Sequence, residues 1–239
     1  MNRGRSSLDD RLAQLADDRG VDFYGIADLT VAHDFILEQG DEAVAAYPRA
    51  VSLGICLPDA IVDLLPRRQE RAVAIDYRHH AYDVINTRLD VVASEVASLL
   101  QREGCSARPV PATGTVDRQK LAAMFSHKLA AHLAGLGWIG KSCLLITPER
   151  GPRVRWTTVL TDADLPTGDI LVPGCEDCTE CADACPVQAF TGRAFDPEEP
   201  REVRFDAQAC SDYFARMREE GEEPVVCGLC LHACPHGQG

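Results

Sequence analysis

The stretch that decides the fold is Cys175-Glu-Asp-Cys178-Thr-Glu-Cys181-Ala-Asp-Ala-Cys185-Pro186, in which spacers of two, two and three residues separate four cysteines. Spacers of two residues let a loop wrap three thiolates onto one iron–sulfur cubane, while the fourth cysteine points away to a second cluster. Pro186 cannot donate a backbone hydrogen bond, so the chain turns away after the last thiolate. The run therefore predicts a small ferredoxin-like domain.

A second run, over residues 227–235, has the spacing Cys-x-x-Cys-x-x-x-Cys-Pro and lacks an early cysteine, which Cys210 can supply from upstream. Crossed ligation then predicts two 4Fe-4S clusters. The predicted ligands are Cys175, Cys178, Cys181 and Cys234 for cluster one, and Cys185, Cys210, Cys227 and Cys230 for cluster two. The alternative is structural zinc, which paired Cys-x-x-Cys motifs also bind. Three thiolates so close in sequence do not suit that two-plus-two arrangement.

The composition agrees with a metal-binding protein. Of 11 cysteines in 239 residues, only Cys56, Cys105 and Cys143 are not among the eight predicted ligands. No apolar run reaches the length of a membrane span, and no secretory signal follows the polar N-terminus. We therefore expect a cytoplasmic protein without membrane contact, and clustered cysteines in a reducing compartment favour metal over disulfides.

Two domains are predicted, an α/β domain over residues 1–170 and the cluster domain over residues 171–239. The first part alternates helical and strand-like patterns, which is typical of an α/β layer domain. It includes a buried strand at 50–57, helices at 76–103 and 116–134, and a strand pair formed by 143–147 and 154–160. A Pro- and Gly-rich joint follows at 166–174.

A glycine motif precedes the cysteines. Gly135, Gly137 and Gly140 form G-x-G-x-x-G, with Trp138 and Lys141 beside them. A dinucleotide site requires a strand before this motif and a helix after it, whereas here a predicted helix precedes and a strand follows. Two interpretations stay open. The loop is a packed turn with its tryptophan in the core, or these five residues lie against a planar cofactor that glycine lets approach closely.

The glycine motif, followed by the double cysteine pattern, resembles the epoxyqueuosine reductases. The segments Tyr24-Gly-Ile-Ala, Pro48-Arg-Ala-Val-Ser-Leu, Asp76-Tyr and Cys210-Ser-Asp-Tyr are also similar to that family. The resemblance implies a nitroreductase-like, cobalamin-binding α/β domain, as in reductive dehalogenases, followed by a ferredoxin-like domain with two 4Fe-4S clusters. It also implies that single electrons pass through the clusters to a corrinoid that reduces a substrate.

Two departures from the family pattern, a missing proton donor and the end of the chain at Gly239, argue against a tRNA substrate. The acidic charge of the C-terminal part argues in the same direction. The family's aspartate proton donor has no counterpart in Arg108-Pro-Val-Pro-Ala112, and opening an epoxide needs a proton. From residue 173 onward 14 acidic residues face five arginines, a net charge of −9 within a total of −13. Phosphate binding rests on Lys and Arg, although an acid excess also simply aids solubility. The chain ends at Gly239, so we expect a short form without the helical repeats of family members that act on tRNA.

We therefore expect an iron–sulfur oxidoreductase that delivers single electrons to a corrinoid, with an unidentified substrate other than epoxyqueuosine-containing tRNA. The alternative is an electron carrier or reductive activator that serves a partner protein. Expected partners are an electron donor such as a ferredoxin or flavodoxin and a small-molecule or protein-bound corrinoid; a nucleic acid is not expected. An acidic cluster domain would suit docking to a basic partner. The sequence identifies no catalytic residue.

Overall fold

The protein is described from a computed structural model, which covers residues 7–117, 119, 121–221 and 223–238. Its centre is a four-stranded antiparallel sheet in the order β1–β2–β6–β3. Its strands are β1 (Phe23–Asp28), β2 (Arg49–Cys56), β6 (Val154–Thr161) and β3 (Ala107–Val110). Val51 of β2 pairs with Val159 of β6. The strands β4 (Trp138–Ile139) and β5 (Leu145–Ile146) pair with each other and form a separate two-stranded sheet.

Helices cover both faces of the central sheet. The α-helices are α1 (Leu8–Asp18), α2 (His33–Gln39), α3 (Glu42–Ala45), α4 (Asp59–Val62), α5 (Arg71–Arg78), α6 (Ile85–Arg102), α7 (His127–Leu133), α8 (Glu180–Asp183), α9 (Ala207–Glu219) and α10 (Leu229–His232). Neighbouring residues of a strand point to opposite faces. Val51 and Leu53 accordingly pack with α1 and α6, whereas Ala50 packs with α2 and α7. The result is a helix–sheet–helix arrangement.

The predicted long helix and the predicted strand pair were both partly wrong. The helix begins earlier, at Arg71, and a π-helical segment over His79–Val84 separates α5 from α6. In place of the predicted pair, β5 pairs with β4, and β6 joins the central sheet between β2 and β3. The Gly-Pro turn between 143–147 and 154–160 favoured pairing of these two segments with each other. The strands that β6 pairs with are instead distant in sequence.

The predicted helix at 116–134 is wrong over its first half. The helix α7 begins only at His127, where the Ser126 side chain accepts a hydrogen bond from the backbone N–H of Leu129. Before it, Asp117 and Ala122 form an isolated antiparallel bridge. An N-cap serine competes well with helix continuation, since its hydroxyl satisfies a free backbone donor. Residues 118 and 120 of the predicted helix lie outside the described residues.

The cysteine-rich C-terminal part packs onto the sheet domain. Val226 and Leu231 share one hydrophobic cluster with Leu65 and Tyr77 from the first part of the chain. At the joint, the backbone N–H of Gly168 donates to the carbonyl of Ile26 at 3.0 Å. The domain boundary at residue 170 stays a prediction. No helix among residues 7–117, 119, 121–221 and 223–238 has both the length and the apolar character needed to span a bilayer.

Candidate metal centre

The four thiols predicted for cluster one line a single cavity. Cys175 and Cys178 lie on the loop before α8, Cys181 lies within α8, and Cys234 follows α10. The rest of the lining consists of Lys141, Ser142, Ile146, Pro235 and His236. The thiols surround this space without converging on one point. Among the described residues, no three His, Cys, Asp or Glu side chains are close enough to hold a single metal ion.

Burial and neighbouring sulfurs make these thiols hard to deprotonate on their own. Burial, followed by the charges of Cys175 and Cys178, raises the pKa of Cys181 to about 11. The pKa of Cys234 is also raised to about 11, mainly by burial. A thiolate in this position needs a compensating cation, and iron supplies one, so ligation at this site releases protons.

The four thiols predicted for cluster two also influence one another. Burial, then Cys227 and Cys185, raises the pKa of Cys210 to about 11. Burial raises the pKa of Cys230 most of all, followed by the charges of Cys227, Cys210 and Cys185. Cys210 lies in the first turn of α9, where Asp206 caps the helix, and Cys230 lies in α10. The helices α9 and α10 therefore bring these four sulfurs into one neighbourhood.

The two groups of thiols adjoin each other. The charge of Cys181 from the first group also contributes to the raised pKa of Cys230 in the second. Contacts between α8 and α10 bring the two cysteine runs together. Two cofactors held by these groups would be close neighbours, as crossed ligation requires.

The glycine motif packs against the protein's own chain. A Cβ atom on Gly137 would overlap the carbonyl of Ile146, and one on Gly135 would overlap the carbonyl of Asp169. Gly135 also has a φ of 73°, which side-chain-bearing residues rarely adopt. The close approach that these glycines permit is thus made to backbone. The contact of Gly135, Gly137, Trp138, Gly140 and Lys141 with a corrinoid stays a prediction.

Trp138 and Lys141 reach from the glycine motif to the cluster-one loop. The indole Nε1–H of Trp138 donates to the sulfur of Cys175 at 3.3 Å. The Nζ of Lys141 donates to the carbonyl oxygens of Glu176 at 2.7 Å and Cys178 at 3.1 Å. Lys141 is only 8% exposed, so its charge lies beneath the loop and away from solvent.

His236 completes this contact from the other end of the chain. Its ring meets Trp138 edge-to-face, with the ring centroids 5.0 Å apart. Its Nε2 lies 3.1 Å from the carbonyl oxygen of Gly174, which fixes Nε2 as the protonated nitrogen. The sequence placed His236 beside the second Cys-Pro run but gave no signal that it would pack on Trp138.

Two half-buried basic side chains at the start of α7 were missed by the sequence analysis. His127 bridges Thr158 and the carbonyl of Pro111, both at 2.9 Å, and burial lowers its pKa. Lys128 donates to the carbonyl of Cys143 at 2.6 Å, and burial lowers its pKa as well. Both had fallen within the predicted helix of 116–134, where amphipathic spacing does not distinguish a buried basic residue from a solvated one.

Comparison with known proteins agrees with this site. Residues 174–237 match the family model described as a 4Fe-4S double cluster binding domain. The epoxyqueuosine reductase of Gloeobacter violaceus is 35% identical over 143 residues, which cover 55% of this chain and 39% of that protein. The expected resemblance to epoxyqueuosine reductases and the pair of 4Fe-4S clusters are thereby confirmed.

The chain is also similar to a reductive dehalogenase. The tetrachloroethene reductive dehalogenase of Sulfurospirillum multivorans is 34% identical over 112 residues, 44% of this chain and 22% of that protein. Thus the chain spans well under half the length of these two curated relatives.

Solved structures confirm the predicted fold class. A selenomethionine-labelled epoxyqueuosine reductase has a TM-score of 0.63 at 19% identity, covering 97% of this chain and 66% of that one. A reductive dehalogenase, whose structure is described as suggesting a mechanism for B12-dependent dehalogenation, has a TM-score of 0.70 at 20% identity. The match covers all of this chain and 34% of the dehalogenase. The fold is thus a mixed α and β domain with a ferredoxin-like cluster part.

Proposed function

We propose that this iron–sulfur protein is a reductase in which single electrons pass between two clusters, in either direction. The proposed ligands of cluster one are Cys175, Cys178, Cys181 and Cys234. Those of cluster two are Cys185, Cys210, Cys227 and Cys230. The observation that carries the proposal is the arrangement of eight thiols in two adjoining groups of four. When bound, the clusters supply one-electron transfer at potentials that their surroundings set.

The protein's own residues hold this pair in place and keep water from part of it. Cys234 is buried, and Leu231, the neighbour of Cys230 in sequence, packs in the hydrophobic cluster that contains Leu65 and Tyr77. Sulfur ligands shielded from water experience a low dielectric constant, so neighbouring dipoles and charges act on them strongly. We propose that residues 171–239 act as this electron-transfer part and residues 1–170 as the part that receives an acceptor.

The acceptor proposed first is a corrinoid, because one structural relative is described as B12-dependent. Gly135 and Gly137 of the predicted contact set approach the backbone of Asp169 and Ile146. Contact of these glycines, and of Trp138, Gly140 and Lys141, with a corrinoid stays a prediction.

Epoxyqueuosine-containing tRNA is not the proposed substrate. In the segment where a proton donor is expected, the carbonyl of Pro111 contacts His127 and the N–H of Ala112 donates to Asp90 at 2.8 Å. The Asp90 carboxylate is thus engaged with backbone. Reaction with such a tRNA, tested against a complete epoxyqueuosine reductase under the same reductant, should give no product above background; product formation would overturn this part of the proposal.

Cobalamin titration tests the acceptor. We expect the anaerobically reconstituted protein to bind cobalamin with a dissociation constant in the micromolar range or below, measured by absorbance and calorimetry. Reduced protein should then transfer electrons to the bound corrinoid. Arg102→Gln serves as a matched control, because its exposed side chain at the end of α6 lies outside the glycine motif and both cysteine groups and should leave cobalamin affinity unchanged. Absence of binding at high micromolar cobalamin contradicts the corrinoid proposal.

An electron carrier is the second candidate, favoured by the packed glycine motif. The cavity that adjoins this motif is lined by the cluster-one thiols. A carrier needs an accessible cluster edge and a docking surface, and the acidic residues of the C-terminal part suit a basic partner. The two candidates separate cleanly: a carrier reduces a partner protein without binding cobalamin, and its rate falls steeply with ionic strength.

A further inference from the structure

The glycine motif touches only one of the two proposed clusters. Trp138 donates its indole N–H to the Cys175 sulfur, and Lys141 places an ammonium on the carbonyls of Glu176 and Cys178. Glu176 has a φ of 37°, an unusual value for a residue with a side chain. That conformation belongs to the same loop whose carbonyl accepts from Lys141. The loop that carries Cys175 and Cys178 is therefore held by one N–H donor to sulfur and one buried cation.

The surroundings of the proposed cluster two are different. The Cys185 sulfur accepts from the backbone N–H of Ala189 at 3.3 Å. Cys230 is near Tyr77, whose pKa is raised mainly by burial, and Gly228 adjoins the side chain of Leu65. In the described part of the chain, no lysine or arginine side chain donates to the sulfur or backbone of these four cysteines. The described contacts of these four cysteines are thus a backbone N–H at Cys185 and the neighbouring Tyr77 and Leu65 side chains, whereas the cluster-one loop carries a direct contact from a lysine ammonium.

Reduction adds one negative charge to a 4Fe-4S cluster. Hydrogen bonds to a ligand sulfur and nearby positive charge stabilise that added charge, so both raise the reduction potential. Burial strengthens both effects, because little water screens them. The Trp138 donor and the Lys141 ammonium therefore act in the same direction on the same cluster.

We infer that Trp138 and Lys141 set the reduction potential of cluster one above that of cluster two. Electrons delivered to cluster two by a one-electron donor protein such as a ferredoxin or flavodoxin would then collect at cluster one, which would give the pair a direction. This inference rests on the proposed ligand sets. Both residues are positioning residues that act through the ligand loop, and neither touches a substrate in this scheme.

The test is a redox titration of the reconstituted full chain, monitored by electron paramagnetic resonance, under strict anaerobiosis. Two transitions are expected in the unmodified protein. Trp138→Phe and Lys141→Met should each lower the equilibrium constant for reduction of the higher-potential cluster about tenfold, which equals about 59 mV for one electron. The other transition should stay in place. Lys141→Arg keeps the charge and should restore most of the lost potential.

Matched controls separate a local effect from general loosening. Trp156→Phe changes a tryptophan in β6 that packs on Phe23, and Arg102→Gln removes an exposed charge at the end of α6. Neither should move a transition. If Trp138→Phe loses a cluster, the comparison of Lys141→Met with Lys141→Arg decides the question alone.

The outcomes are distinguishable from failure of the proposed function. Iron and sulfide are counted in each sample. An unmodified protein that does not hold two clusters contradicts the ligand sets themselves. Intact clusters whose two potentials do not move, or move equally, in the Trp138 and Lys141 variants overturn only this inference.

Discussion

Replacement of Cys230 with alanine should remove one cluster, leaving about four of about eight irons per chain, and should expose the C-terminal part to protease. Cys230 lies in α10, where Leu231 packs into the hydrophobic cluster shared with Leu65 and Tyr77. A part of the chain this small depends on ligation for much of its folding free energy. Cluster loss should therefore loosen α10 and its contact with the sheet domain.

The measurement is iron and sulfide analysis with limited proteolysis after anaerobic reconstitution. Cys178→Ala should have the corresponding effect at the other site. Cys105→Ser is the matched control, since this thiol follows α6 and lies in neither cysteine group. It should keep both clusters. A Cys230→Ala protein with full iron content and unchanged protease resistance would show that the ligand assignment is wrong.

The second large effect is expected at Gly137, where valine should lower the free energy of unfolding by about 3 kcal/mol or more. The new Cβ would overlap the Ile146 carbonyl, which cannot move without breaking the β4–β5 pair. Displacement of β4 would also withdraw Trp138 from the Cys175 sulfur. Cluster one should consequently be lost first as denaturant is added.

Gly114→Ala provides the control for this substitution. No atom lies within 4 Å of a Cβ at Gly114, so its effect should stay within about 0.5 kcal/mol. Cluster absorbance and circular dichroism, followed anaerobically through a guanidinium series, report both changes. If the Gly137→Val protein had the same denaturation midpoints as the unmodified protein, the close contact between Gly137 and Ile146 would be contradicted.

The sequence predicted those parts of the fold that depend on local chemistry. The strand β2, over Arg49–Cys56, occupies the apolar run at 50–57 that was predicted as a buried strand. Cysteine spacing was equally informative, because cubane ligation imposes geometry on a few neighbouring residues. The grouping of Cys210 with Cys227 and Cys230 followed from the ligand count alone.

Features that depend on distant partners could not be predicted. β6 was expected to pair locally, yet its hydrogen bonds run to β2, about a hundred residues earlier. The glycine motif predicted that another group approaches these glycines closely, but it did not identify that group. The structure shows that it is the backbone of Ile146 and Asp169. Lys141 likewise had no sequence signal to distinguish a solvated amine from one buried under a cluster loop.

Iron and acid-labile sulfide analysis of the anaerobically reconstituted chain, combined with Mössbauer spectroscopy, tests the central claim most directly. Two clusters on two groups of four thiols predict about eight irons and about eight sulfides per chain, all in 4Fe-4S form. A preparation that takes up zinc, contains no sulfide and retains its folded C-terminal part would contradict that claim.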